Sequence, residues 1–239
     1  DGWPILGDEN GKVPETMPQG GDEIAGTNLV TSDDFNDDKL SLFWQWNHNP
    51  IDEAWSLTER KGYLRLRTNK VVQNVYEARN TISQRMEGPR CMASVTFDLN
   101  KMKDGDRCGF AAFNGHSGLL TIARNDKDLT LTQSNTVVNL TDRDKAVTSV
   151  DEDIIETVTL EAKTVSLRID ADFTPGKDIA TFYYKVGNGE WHKIGKPYKM
   201  RFDYRRLFMG TRYAIFNYAT KQSGGYVDID SFNYHLLRK

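Results

Sequence analysis

Cysteine is scarce in this sequence. Cys91 and Cys108 are the two cysteines in 239 residues. They are too few for a disulfide framework and leave open one bridge or two buried thiols. Proline is scarce as well, at 7 residues against 19 glycines, which favours many tight turns over rigid ones. No charge of one sign dominates. The 31 basic residues face 34 acidic ones, for a net charge of −3, so there is no electrostatic footprint for nucleic acid. No apolar run approaches the ~20 residues of a spanning helix, so neither nucleic acid nor a membrane is expected as a partner. Catalytic signatures are missing too. There is no Gly-x-Ser-x-Gly, no His-x-x-x-His, no cysteine pair at metal spacing and no phosphate loop. The four histidines, His48, His116, His192 and His235, are scattered.

What is present points to a folded β-domain. Hydrophobic residues make up 38% and aromatics 11%, which argues against disorder. Residues 1–27 stand apart. They hold six of the 19 glycines and prolines at 4, 14 and 18, with no apolar period, and read as a connector. Trp3, Ile5 and Leu6 would suit packing against a neighbouring body, whether another domain or this one.

From residue 28 to 239 the pattern is strand-like. Tyr63–Arg67 sets Leu64 and Leu66 on one face and two arginines on the other. Cys91–Asp98 and Thr164–Asp170 alternate in the same way. Further strands are expected at Ala54–Thr58, Cys108–Phe113, Leu119–Ala123, Leu129–Gln133, Val137–Leu140, Ile155–Glu161, Ile179–Val186, 207–216 and 226–234. Asn188-Gly189, between Tyr183–Val186 and Trp191–Ile194, predicts a hairpin with two positive φ angles. Asp203–Leu207 is the one short helical candidate. Strand-sized runs about every ten residues predict an all-β, two-sheet antiparallel sandwich.

Among candidate sites, Phe43-Trp-Gln-Trp-Asn-His-Asn-Pro50 is the most unusual segment. Indole faces stack on sugar C–H faces, and carboxamides both donate to and accept from hydroxyls. Trp44 reads as core, because large aromatics usually fill it. Trp46, Asn47, His48 and Asn49 lead into a loop and read as sugar contacts. Phe113 and Asn114 sit in a Gly-rich turn carrying His116, which suits either a groove edge or a plain hairpin. Tyr213, Phe216 and Tyr218 bring aromatics beside Asn217 and Arg212. Arg79 and Arg85 suit a sugar hydroxyl or a uronate, although surface ion pairing is the commoner use. Asp33 and Asp34 at the start of the body, with Asp228 and Asp230 in the last strand, form a candidate calcium site, since first and last strands are often neighbours. The alternative for Asp33 and Asp34 is turn or cap chemistry. The run Asp151–Asp153 is a weaker calcium candidate and reads first as a solvated loop. With 34 acids, accidental carboxylate pairs are certain, so an independent glycoside hydrolase is not excluded.

Trp44–Pro50, Trp55–Thr58 and Gly62–Leu66, with Gly210–Lys221 and Gly224–Asp230, resemble the ends of the C-terminal β-sandwich of glycoside hydrolase family 43 enzymes. These are β-xylosidases and α-arabinofuranosidases. The resemblance spans nearly the whole chain, although the middle, about 125–200, is generic. It implies a concanavalin A-like jelly roll, often with structural calcium, of the kind grouped as carbohydrate-binding module family 91. The catalytic acids of such enzymes lie in a five-bladed propeller, so no catalytic residue carries over. Asp1–Pro4 looks like the last propeller strand. The implied role is non-catalytic binding of xylan or arabinoxylan, in cis to the propeller. The alternative is a brace that completes the propeller's active site. The implied location is secreted, periplasmic or at the cell surface of a bacterium.

Overall fold

The computed structural model describes residues 7, 8, 10–13, 29–206 and 209–237. Apart from residues 7, 8 and 10–13, the connector expected over 1–27 lies outside them. Among the described residues, fourteen strands form two antiparallel seven-stranded sheets. The strands are β1 Gln45–Trp46, β2 Trp55–Ser56, β3 Leu64–Arg67, β4 Ile82–Arg85, β5 Arg90–Asp98, β6 Asp106–Phe113, β7 His116–Asn125, β8 Asp128–Leu140, β9 Val147–Leu160, β10 Thr164–Asp172, β11 Ile179–Val186, β12 His192–Lys199, β13 Arg212–Ala219 and β14 Tyr226–Leu236. The front sheet runs β1-β4-β13-β6-β7-β8-β9 and the back sheet β12-β11-β10-β5-β14-β3-β2. This is the all-β sandwich that the alternation predicts.

The main core lies between the sheets. Leu64, Leu66, Val95, Phe97, Leu167 and Ile169 of the back sheet face Phe110, Ile122, Leu131, Tyr213 and Ile215 of the front sheet. β5 alternates buried and half-exposed along its length, as a strand with one face in water must. β6 and β13 do not alternate: every residue of β13 is buried. Their second face is covered by residues 68–81, a strap with a short 3-10 helix at Val75–Glu77. Val72, Val75, Tyr76 and Ala78 of the strap pack on Ala111, Phe113, Ala214, Phe216 and Tyr218, forming a second apolar core.

Several local expectations change. The hairpin between β11 and β12 pairs Tyr184 with His192, and its positive φ falls on Gly187 (+53°) rather than on Asn188-Gly189. The loop is therefore longer than a two-residue turn. It is also tied to the neighbouring strand, with Gly187 N–H donating to the Thr164 carbonyl at 2.9 Å. Asp151–Asp153 is not a loop but part of β9, the exposed edge of the front sheet, where charge discourages edge-to-edge pairing. Asp203–Leu207 forms a turn over 204–206, and Leu207 lies outside the described residues. Both cysteines are free and buried; of the two alternatives, the unbridged one is observed.

Candidate functional site

The strap decides the fate of the expected sugar contacts. Phe113, Phe216 and Tyr218 are buried beneath it. The Tyr76 ring lies 5.3 Å from that of Phe113, and its hydroxyl reaches Ser117 Oγ at 2.9 Å and Thr136 Oγ1 at 3.3 Å. Tyr213 is buried between the sheets, its ring stacked 5.5 Å from Phe110. These four aromatics are packing residues, and their assignment to a surface groove is corrected. Asn114 is also buried: its Nδ2 donates to the Met209 carbonyl at 2.5 Å and its Oδ1 accepts from Gly115 N–H. It locks a turn, and its burial keeps it from a ligand at the surface.

The tryptophan-rich segment fastens the strap. Trp44 is core, as expected. Its ring sits edge-on to Phe232 at 4.9 Å, and its indole N–H donates to Asp33 Oδ2 at 2.7 Å. Trp46 is half-buried against Trp55, with centroids 5.2 Å apart. Asn47 N–H donates to the Thr81 carbonyl. His48 Nε2 donates to the Tyr76 carbonyl at 2.7 Å, because a carbonyl can only accept. Of this set, Asn49 and Arg79 are the residues left exposed.

The expected calcium ligands do not assemble. The first and last segments are neighbours, with Asp33 and Phe232 exchanging backbone hydrogen bonds of 2.8 Å. Yet Asp33 uses one oxygen for Trp44 and the other for Phe35 N–H. Asp34 accepts from the backbone and side chain of Asn36, and Asp230 is exposed. Among the described residues no three His, Cys, Asp or Glu side chains gather to hold a metal ion. Calcium needs six to eight oxygens, and this donor set does not fit it. The turn chemistry weighed for Asp33 and Asp34 is what the geometry displays.

The front sheet does carry an open cleft of about 480 Å³ at one end, lined by His116, Thr136, Glu152, Asp153, Tyr198 and Arg201. The Tyr198 ring lies over Gly118, where a side chain would strike it. Its hydroxyl is buried without a partner, and burial raises its pKa. His116 Nε2 sits 3.3 Å from Asp203 Oδ2. Burial, reinforced by the charge of Arg206, lowers the imidazole pKa and keeps it neutral near pH 7. Burial pushes Asp203 up, but its hydrogen bond and charge pairing with Arg206 prevail and hold it below the usual carboxylate range. Arg206 Nε also donates to the Val138 carbonyl at 2.6 Å. The base of the 201–206 loop is thus fixed, while its aromatic side chains project: Phe202 is 60% and Tyr204 58% exposed. Neither aromatic belongs to a recognised motif; their signal in the sequence is a Phe-x-Tyr flanked by Arg201, Arg205 and Arg206.

The cleft offers carboxylates, a neutral imidazole, a cation and nearby exposed rings, a set that suits hydroxylated ligands. Among the described carboxyl groups, Asp106 is raised by burial, but it is fully enclosed and cannot reach a glycosidic oxygen.

Residues 32–235 match the family described as the β-xylosidase C-terminal concanavalin A-like domain. A β-xylosidase of Formosa agariphila is 30% identical over 260 aligned positions, covering 98% of this chain and 40% of that protein. A solved bifunctional GH43-CE protein of Bacteroides eggerthii superposes with a TM-score of 0.83 at 36% identity, covering 100% of this chain and 30% of its own. A GH43 glycoside hydrolase engineered to display both endo-xylanase and exo-arabinofuranosidase activity gives a TM-score of 0.82 at 26% identity, covering 98% of this chain and 46% of its own. The chain therefore spans less than half the length of each of these relatives.

Proposed function

Because the chain belongs to the family of β-xylosidase C-terminal concanavalin A-like domains, we propose that it serves as a non-catalytic accessory domain. It would brace a family 43 catalytic propeller in cis and complete the substrate-binding end of that propeller. The parent substrate would be a xylan-type hemicellulose, in keeping with the β-xylosidase and endo-xylanase relatives, and the location would be extracytoplasmic. One observation carries this reading: the 201–206 loop presents two exposed rings on a base held by Arg206, Asp203 and His116. A loop with a hydrogen-bonded base that exposes aromatics beside a polar cleft has the form of a contact made for a partner surface or for a sugar at its boundary. The test is kinetic. Phe202→Ala with Tyr204→Ala in the full-length parent is expected to lower kcat/KM on xylo-oligosaccharides by about tenfold, roughly 1.4 kcal/mol of transition-state binding. An unchanged kcat/KM would sink the reading.

The second reading is glycan binding by the sandwich itself, in the manner of family 91 modules. It retains half-buried Trp46 with exposed Asn49 and Arg79. Calorimetry of this chain with xylo-oligosaccharides separates the two. Heat that disappears in Trp46→Ala favours binding, and silence favours the brace.

A further inference from the structure

Arg212 opens β13 on the outer face of the front sheet, in step with Ala214 and Phe216 of the second core. It is 7% exposed. Its Nε donates to Ser83 Oγ at 3.0 Å, and its Nη2 is buried with no partner. Among the described residues no carboxylate pairs with it; the ion pairs lie elsewhere. The charge that does reach it is like its own: Arg85, its exposed cross-strand neighbour on β4. Burial and Arg85 both lower its pKa, but a guanidinium starts so high that it stays protonated. A buried cation with only another cation beside it is strongly unfavourable unless a counter-charge arrives.

The position narrows the source of that counter-charge. Arg212 pairs with Phe113, next to Asn114–Gly115. Arg206 of the aromatic loop packs so closely over Gly115 that a methyl there would lie 2.6 Å from its Cβ. Arg212 and the loop therefore share one end of the sandwich. The chain covers 40% of the Formosa β-xylosidase and 30% and 46% of the two solved relatives, so most of each relative lies outside the part it matches. We infer that Arg212, with Arg85 beside it, is the basic half of an ion pair whose carboxylate is a side chain of the catalytic domain in the same parent protein. This rests on the reading that the sandwich braces that domain. Arg212 Nε is held by Ser83 and Nη2 is sealed, so an arriving carboxylate would meet the part of the guanidinium still open to water together with the exposed Arg85, and docking the domains would remove that water.

The experiment compares Arg212→Met and Arg212→Lys in this 239-residue chain and in the full-length parent, by thermal unfolding. In this chain Arg212→Met is expected to hold or raise the Tm, because it removes an uncompensated charge. In the parent it is expected to lower the Tm by about 2–4 °C or more, with Arg212→Lys recovering part of the loss. A lower Tm for Arg212→Met in this chain would overturn the inference by making the residue's role internal. An unchanged Tm in the parent would overturn it by removing the partner. Sodium glucuronate provides the third arm. If it raises the Tm of the unaltered chain but not of Arg212→Met, the carboxylate belongs to a soluble sugar acid and the domain–domain pair fails. These readouts are independent of the kcat/KM test on Phe202 and Tyr204, so either idea can fail alone.

Discussion

The two outer faces of the sandwich solve different problems. The back sheet turns its outer face to water and dresses it in charge. Arg60 Nη1 bridges Asp98 at 2.7 Å and Asp228 at 3.0 Å, Arg65 Nε binds Asp228 at 2.7 Å, and Tyr63 lies 3.6 Å beneath the Arg60 guanidinium. The front sheet instead carries Phe113, Phe216 and Tyr218 on its outer face and hides them under the 68–81 strap. A solvated face can be read from strand alternation, whereas a covered face looks in sequence like a surface rich in exposed aromatics. The difference matters for function, because the covered face is the one on which a sugar groove was expected. What the front sheet leaves open is its end, with the polar cleft, the aromatic loop and Arg212.

The largest test of this contrast is Phe216→Ala. If the strap builds a true second core, the loss is about 3–5 kcal/mol in urea unfolding. A loss below about 1 kcal/mol would mean the strap merely rests on the sheet. Next comes Asp228→Asn on the back sheet, which strips Arg60 and Arg65 of their shared carboxylate. Arg60 is about one-third exposed, so water screens part of the effect, and a loss of about 2 kcal/mol is expected. A cost equal to that of Phe216→Ala would erase the distinction between a packed face and a charged one.

The smallest effect is also the most specific, because it is read from the direction of a pH profile. Burial pushes Asp98 up, but hydrogen bonds from Arg60 and Asn100 outweigh it and hold the carboxyl below its ordinary 3.8. Its stabilisation is present above that ordinary pKa and is lost as pH falls through the lower folded value. Asp106, sealed at the start of β6, is raised by burial, and hydrogen bonds from Lys103 N–H and Thr68 only partly offset this. Its contribution is fully present below 3.8 and is lost as pH rises through the raised folded value. In a Tm–pH series, Asp98→Asn should flatten the acid limb. Asp106→Asn should raise the Tm near neutrality and leave the acid end unchanged. Parallel profiles for the two variants would contradict the assignment.

Much of the fold was legible from local pattern. The alternation in Cys91–Asp98 and Thr164–Asp170 locates β5 and β10 and their buried sides, because a pleated strand with one wet face must alternate. Trp44 as core followed from the general burial of large aromatics. The candidate site was far less legible. In β6 and β13 alternation is absent because both faces are buried, so Phe113, Phe216 and Tyr218 carried no mark of which surface covered them. His48 and Asn47 looked like ligand contacts because imidazole and carboxamide groups bond to sugars and to backbone alike. Phe202 and Tyr204 lacked a motif, and exposure is not a sequence property.

The sequence by itself determined most of the strands, the two-sheet sandwich and the family, because side-chain alternation and end motifs are local and survive without knowledge of neighbours. Only the tertiary structure decided which aromatics meet water. The strap at 68–81 closes one face from a distant stretch of chain, while the 201–206 loop projects and Arg212, among the described residues, is left without an acidic partner. Burial and charge pairing are set by what lies across the gap, and no periodicity encodes that.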